Sequence, residues 1–290
     1  MSRSCGKGLL LDELLLEDPS SGTLASERLF DAHCHLSFAP QSQSFARWVA
    51  ENFSGAFSTT VSLADYHFAK QAFSSWPSIR IGLGAHPWWI TQGRISAADE
   101  EQFAQAVSEA RFIGEVGLDF GKRGLAGSVF ATEEETKARQ VEVLRTVFGA
   151  GAVSESIGRV FSFHAVRSAD VILDMLQEYN LLPGNTAIFH WFSGSGGELQ
   201  RAREAGCYFS VNAFMLATKR GCEYARAIPA DRLLVETDLP DESDIDRNGE
   251  EVRAQYRTAL VSTYEQLISM RGATILNALQ KNVQRIFSVV

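Results

Sequence analysis

The sequence predicts an α/β protein: a single-domain (β/α)8 TIM barrel with a short N-terminal extension. Three observations carry that expectation. Short runs rich in β-branched and aromatic residues recur eight times from Leu29 onward. Helical periodicity fills the intervals between them, and strands that alternate with helices imply right-handed parallel βαβ units. The chain is 290 residues long, which suits one closed barrel of about 250 residues.

The extension is residues 1–28 and the barrel is residues 29–290. Arg3 and Lys7 precede Leu9-Leu10-Leu11, but Asp12 and Glu13 then interrupt the apolar run, so it is not read as a secretory leader. Leu9 to Leu16 has the pattern of a short amphipathic helix that ends before Pro19, and Ser20-Ser21-Gly22-Thr23 reads as a linker. A flexible extension is the expectation.

The strand runs are Leu29 to Leu36, Phe57 to Ala64, Ile79 to Trp88, Arg111 to Phe120, Arg159 to Val166, Thr186 to Phe192, Cys207 to Phe214 and Arg232 to Asp238. Between them, Val141, Leu144 and Phe148 recur at helical spacing, as do Val171, Ile172, Met175, Leu176 and Tyr179. Ser96 and Ser168 are expected N-caps, and Thr132 with Glu135 fits a capping box. Gly121 to Gly127 and Gly149 to Gly158 read as loose, glycine-rich stretches.

Apolar residues make up 45% of the chain and charged residues 21%, enough for a sizeable core. The formal net charge of −8 argues against a broad basic surface that tracks along duplex nucleic acid. It leaves room for a metal site that takes one phosphate at a time. The four cysteines, Cys5, Cys34, Cys207 and Cys222, form no C-x-x-C pair and no disulfide pattern. Cys34 and Cys207 sit in apolar runs, as buried free thiols in a reducing, cytoplasmic compartment do. No run approaches the roughly 20 apolar residues of a membrane span.

Polar chemistry gathers at the C-terminal ends of the strand runs, the face where barrels of this type carry their active sites. His33 and His35 end the first run, His86 the third, His164 the fifth and His190 the sixth. Glu115 lies in the fourth, and Glu236-Thr237-Asp238 closes the eighth. Of the six histidines, the sixth, His67, falls on a helix and is expected to face solvent. Two histidines two apart on a strand point the same way. In Val160-Phe161-Ser162-Phe163-His164, the phenylalanines face the outer helices and His164 faces the axis. On the same reasoning Glu236 and Asp238 share a face.

Such a set has the composition to hold two divalent cations. His33, His35 and Asp238 would bind one, His164 and His190 the other, and Glu115 would bridge them. Imidazole and carboxylate without thiolate suit Mg, Mn or Zn. Asp238 has the chemistry of a general base, and Glu236 would orient water or a ligand.

Taken together, the motifs resemble the TatD-type metal-dependent deoxyribonucleases, within the amidohydrolase-like barrels. The matching segments are Asp31-Ala32-His33-Cys34-His35, Gly84-Ala85-His86-Pro87, Gly114-Glu115-Val116-Gly117-Leu118-Asp119, Ser162-Phe163-His164, His190-Trp191-Phe192-Ser193-Gly194 and Glu236-Thr237-Asp238, with Asn282 to Phe287 similar to the family's ending. The resemblance implies a barrel with two metals, usually Mg, on the ligands named above. It also implies hydrolysis of DNA ends, single-stranded and in the 3′→5′ direction, by a monomer, with His86 in contact with substrate or a metal-bound phosphate. Many members carry an arginine two residues after the fifth-strand histidine; here Ala165 and Val166 intervene before Arg167. Lys122 and Arg123 are candidates for the phosphate backbone at the rim. Two other readings stay open: hydrolysis of a small phosphoester, lactone or amide on the same site, and a non-catalytic binding subunit that kept the barrel.

Overall fold

The computed structural model describes residues 29–95, 97–152 and 158–288. The expectations for the extension and for Ser96 lie outside the described residues. Eight strands run in the order β1 to β8, and every ladder between neighbours is parallel. They are β1 (Phe30–Cys34), β2 (Gly55–Thr59), β3 (Ile79–Ala85), β4 (Phe112–Asp119), β5 (Val160–Val166), β6 (Thr186–His190), β7 (Tyr208–Val211) and β8 (Leu233–Val235). Beyond β8 the chain meets β1: Asp238 N–H donates to His33 O at 3.0 Å and His35 N–H to Leu239 O at 3.1 Å. The side chain of Asp31 reinforces this seam, accepting from Thr237 N–H at 3.0 Å and from its hydroxyl at 2.6 Å.

Most strands are shorter than the sequence runs suggest. Their polar ends leave the ladder early, because a residue that serves the mouth of the barrel has no partner strand to pair with. His35, His86, Glu236 and Asp238 therefore stand on loop residues just past the strands. Pro87–Thr91 is a short helix, not the end of β3, with His86 as its N-cap and Pro87 opening it. The stretch after β4 holds a short helix, Lys122–Leu125, where a loop was expected. The helix Glu133–Ala152 runs past Gly149 and Gly151, which were expected in a loose stretch.

Two strands carry an extra residue. The register advances from Asp31 to Cys34 along β1 while β2 advances only from Ala56 to Ser58. Along β4 it advances from Ile113 to Val116 while β3 moves from Leu83 to Ala85 and β5 from Phe161 to Phe163. Such bulges re-aim a side chain. Ala32 and His33 lie within the first, Gly114 and Glu115 within the second.

The main core lies between sheet and helices. Phe161 and Phe163 pack on Phe148 of Glu133–Ala152 at ring separations of 6.0 and 5.7 Å, as alternation predicts. Leu144, Ile172, Met175 and Leu176 are buried with them. Thr132 and Glu135 form the expected capping box, whereas Ser168, although an N-cap by position, donates its hydroxyl to Leu118 O at 2.7 Å. A second cluster fills the barrel at the N-terminal ends of the strands: Phe30, Ala32, Phe57, Val160, Ile188, Tyr208, Leu234 and Phe287. Asn282 ties the last helix, Ile275–Phe287, beneath β8 through Leu233 O at 2.8 Å. Among the described residues no helix is long and apolar enough to cross a membrane.

Candidate metal centre

Glu115 is the hub of the opposite, C-terminal mouth. Its side chain is 1% exposed, and the β4 bulge turns it toward the barrel axis while Ile113, at the same parity of a regular strand, packs in the outer core. A Cβ on Gly117, at φ +146°, would lie 2.0 Å from His164 O, so only glycine lets β5 come close enough for its histidine to reach the hub.

The two carboxylate oxygens of Glu115 face different imidazoles. Oε2 lies 3.3 Å from His33 Nε2 and 3.2 Å from His35 Nε2. Those nitrogens are in turn 3.6 and 3.4 Å from Asp238 Oδ1. Oε1 lies 2.6 Å from His164 Nδ1, 2.8 Å from His190 Nε2 and 3.3 Å from His86 Nε2. The rings of His33 and His190 stack at 3.9 Å between the two groups. Ligand atoms of His33, His35, Glu115 and Asp238 lie within 4.8 Å of one another, as do those of His86, Glu115 and His164. Every residue expected at the site thus comes to this mouth, while His67 is exposed on the helix Leu63–Phe73.

The partners on the far side of each ring set its tautomer. His35 Nδ1 meets the backbone carbonyl of Thr59 at 3.2 Å, which places a proton on Nδ1 and frees Nε2 to bind a cation. His33 Nδ1 meets Ser162 Oγ at 2.7 Å. His86 differs: its Nδ1 accepts from Trp88 N–H at 3.1 Å, so the neutral ring carries its proton on Nε2 and acts as a donor. His164 Nε2 meets the Asp119 carboxylate at 3.2 Å, leaving Nδ1 toward Glu115. Glu236, fully buried, accepts from Trp191 N–H at 3.1 Å, Asn212 Nδ2 at 3.0 Å and the Ser210 hydroxyl. Its oxygens are committed to those donors. Asp238 sits at φ +59° past the end of β8, and this turn, not strand alternation, brings its carboxylate to His33 and His35.

Burial opposes charge throughout the cluster. It raises the Glu115 pKa, but the imidazoles of His86, His190 and His164 overcome it and hold the carboxyl well below the usual carboxylate range. Burial likewise disfavours His35 as a cation, yet Asp238 and Glu115 lift its pKa to about 10. His33 is pushed down, by burial first and by His190 second, which keeps it neutral. Neutral imidazole nitrogens and ionised carboxylates, without a thiolate, are the donors that Mg, Mn or Zn accept. The residues present fit divalent-cation binding at Glu115.

Asp119 joins the site without being singled out by the sequence. Its period-2 relation to Gly117 on β4, above the bulge, was the available signal. It bonds His164 and also accepts from Trp88 Nε1 at 2.7 Å. Thr59 and Ser162, which orient His35 and His33, carried no such signal.

Comparison with known proteins agrees with the geometry. The model of the family described as TatD related DNase matches residues 30–288. The chain is 28% identical over 200 residues to the 3'-5' ssDNA/RNA exonuclease TatD of Escherichia fergusonii, covering 67% of this chain and 70% of the relative. It is 30% identical over 178 residues to the protein of that name from Escherichia coli K12, covering 59% and 60%. Among solved structures it resembles YjjV, a TatD homologue from E. coli K12, with a TM-score of 0.70 at 20% identity over 91% of this chain and 99% of that one. It also resembles the phosphotriesterase homology protein from E. coli, with a TM-score of 0.54 at 14% identity over 91% and 99%. These structural likenesses establish the barrel. The family match runs from the first strand to the end of the last helix and leaves no part of the barrel outside it: the chain belongs to the TatD-related DNase family of hydrolases.

Proposed function

We propose that this hydrolase removes nucleotides from single-stranded DNA ends by metal-dependent cleavage of phosphodiester bonds. The observation that carries the reading is the division of Glu115: each of its oxygens faces its own set of imidazoles. His33, His35 and Asp238 would hold one cation, His164 and His190 the other, with Glu115 shared and Mg, Mn or Zn as the ion. Paired cations at such a site polarise the phosphoryl group and supply a hydroxide-like water near neutral pH.

The chain's own groups divide the remaining work. Asp238 is the most open carboxylate of the set, at 19% exposure, and takes the proton that the attacking water gives up. His86 directs its Nε2–H into the site and donates to a phosphate oxygen. Glu236 aligns β6, β7 and His190 through the donors it already holds. The free buried thiols of Cys34 and Cys207 suit a cytoplasmic setting.

End-labelled single-stranded DNA, incubated with the pure protein and Mg or Mn, tests this. A ladder shortened from one end, abolished by EDTA, is expected. The net charge of −8 favours a second reading, a small phosphoester, lactone or amide. Intact DNA together with turnover of a chromogenic ester would establish that one instead.

A further inference from the structure

Resting on the nuclease reading, we propose that Trp191 and Phe214 form a stacking platform for the bases of the nucleic-acid end held at the metal centre. Five large apolar side chains among the described residues are exposed: Phe68, Val129, Trp191, Phe214 and Ile245. Scattered single residues of this kind are ordinary. Trp191 and Phe214 are not scattered, because they stack on each other with ring centroids 5.5 Å apart and planes 17° from parallel. They remain 39% and 50% exposed, so each ring keeps an open face.

Their place in the fold makes that face useful. Trp191 follows His190, the residue whose Nε2 lies 2.8 Å from Glu115. It adopts φ +38°, and its backbone N–H is fixed by Glu236 at 3.1 Å and Ser210 O at 3.2 Å. Phe214 lies in the short helix Ala213–Leu216, capped by Asn212, and Asn212 also bonds Glu236. One buried carboxylate therefore anchors both aromatic supports and the ends of β6 and β7 next to the hub. Arg167, just past the end of neighbouring β5, is exposed, so its guanidinium is open to a phosphate.

The platform also resolves the charge problem. A protein with net charge −8 gains little from a basic groove. Stacking on an aromatic face needs no charge, tolerates any base, and recurs wherever proteins hold single strands. Such a surface selects ends whose bases are unpaired, because a paired base offers its faces to its neighbours in the helix.

Fluorescence anisotropy of labelled decamers in EDTA tests the platform with hydrolysis suppressed. One decamer carries thymine throughout, and the other has abasic sites at its terminal nucleotides. The wild type is expected to bind the base-bearing strand about tenfold more tightly. Trp191→Ala should erase that preference, Phe214→Ala should reduce it, and Trp191→Phe should retain most of it. The salt dependence should stay shallow in every case. Equal affinity of the wild type for both decamers overturns the proposal, as does an unchanged preference in Trp191→Ala. Self-association that Trp191→Ala abolishes, without base preference, would assign the pair to a protein interface and overturn it too. Base preference with no cleavage in Mg supports the platform while sinking the nuclease reading.

Discussion

The two ends of this barrel are built from the same eight strands and have opposite chemistry. At the floor, Phe287 stacks on Phe30 at 4.8 Å and lies 5.4 and 6.1 Å from Phe57 and Phe112. Arg80 and Arg111 hold the chain end there through the carbonyls of Phe287 and Ser288. At the mouth, Asp31, His33, Glu115, Asp119 and Glu236 are buried ionisable groups, each answered by a partner. Burying such groups is unfavourable unless every one is paired. The floor gains free energy from apolar burial and the mouth gives some of it up. Stability and chemistry therefore reside in separable layers of one sheet.

The sharpest way to break that separation is Glu115→Gln. We expect kcat/KM to fall about a thousandfold or more. Bound metal, measured by elemental analysis, should fall with it while the far-ultraviolet circular dichroism stays native. Wild-type rates would refute the bridging role. Phe287→Ala attacks the other layer. It should cost about 3 kcal/mol of stability and lower Tm by roughly 5–10 °C. Its kcat should stay within about twofold of wild type; a catalytic loss to match the first variant would mean the layers are one.

Protons sharpen the comparison further. The His35 pKa of about 10 stands above the ordinary 6.5, so without a cation the ring is protonated at neutral pH. A cation must displace that proton, and affinity therefore rises with pH up to about 10, by roughly tenfold per unit for each proton released. Titration with Zn between pH 6 and 8 should show this slope in the wild type and in Phe287→Ala alike. A flat profile would remove His35 from the ligand set. The smallest effect belongs to Lys122→Ala at the rim: less than about twofold in KM for DNA, with the salt slope reduced by about one.

Much of the mouth was legible because residue type and strand period speak together. His164 faces the axis opposite Phe161 and Phe163, and the structure agrees. The strand order followed from simple alternation of strand and helix. Alternation points to Asp238 but is not what places it: β8 ends at Val235, and a left-handed turn delivers the carboxylate. Orientation at Glu115 was not legible, since Ile113 and Glu115 would share a face on a regular strand. The carbonyl of Thr59 and the hydroxyl of Ser162 belong to ordinary strand residues until the fold brings histidines from just within and past β1 onto them.

The extra residue in β1 and the one in β4 carry a consequence for how such a centre can arise or be lost. Pairing this stretch evenly with β3 and β5, with no residue changed, would place Glu115 on the face of Ile113 and turn the hub carboxylate outward among the helices. Donor position here is a matter of arithmetic along the backbone as much as of chemical identity. A barrel with every one of these side chains but an even ladder through β1 and β4 would keep its shape and lose the donors that meet at its mouth.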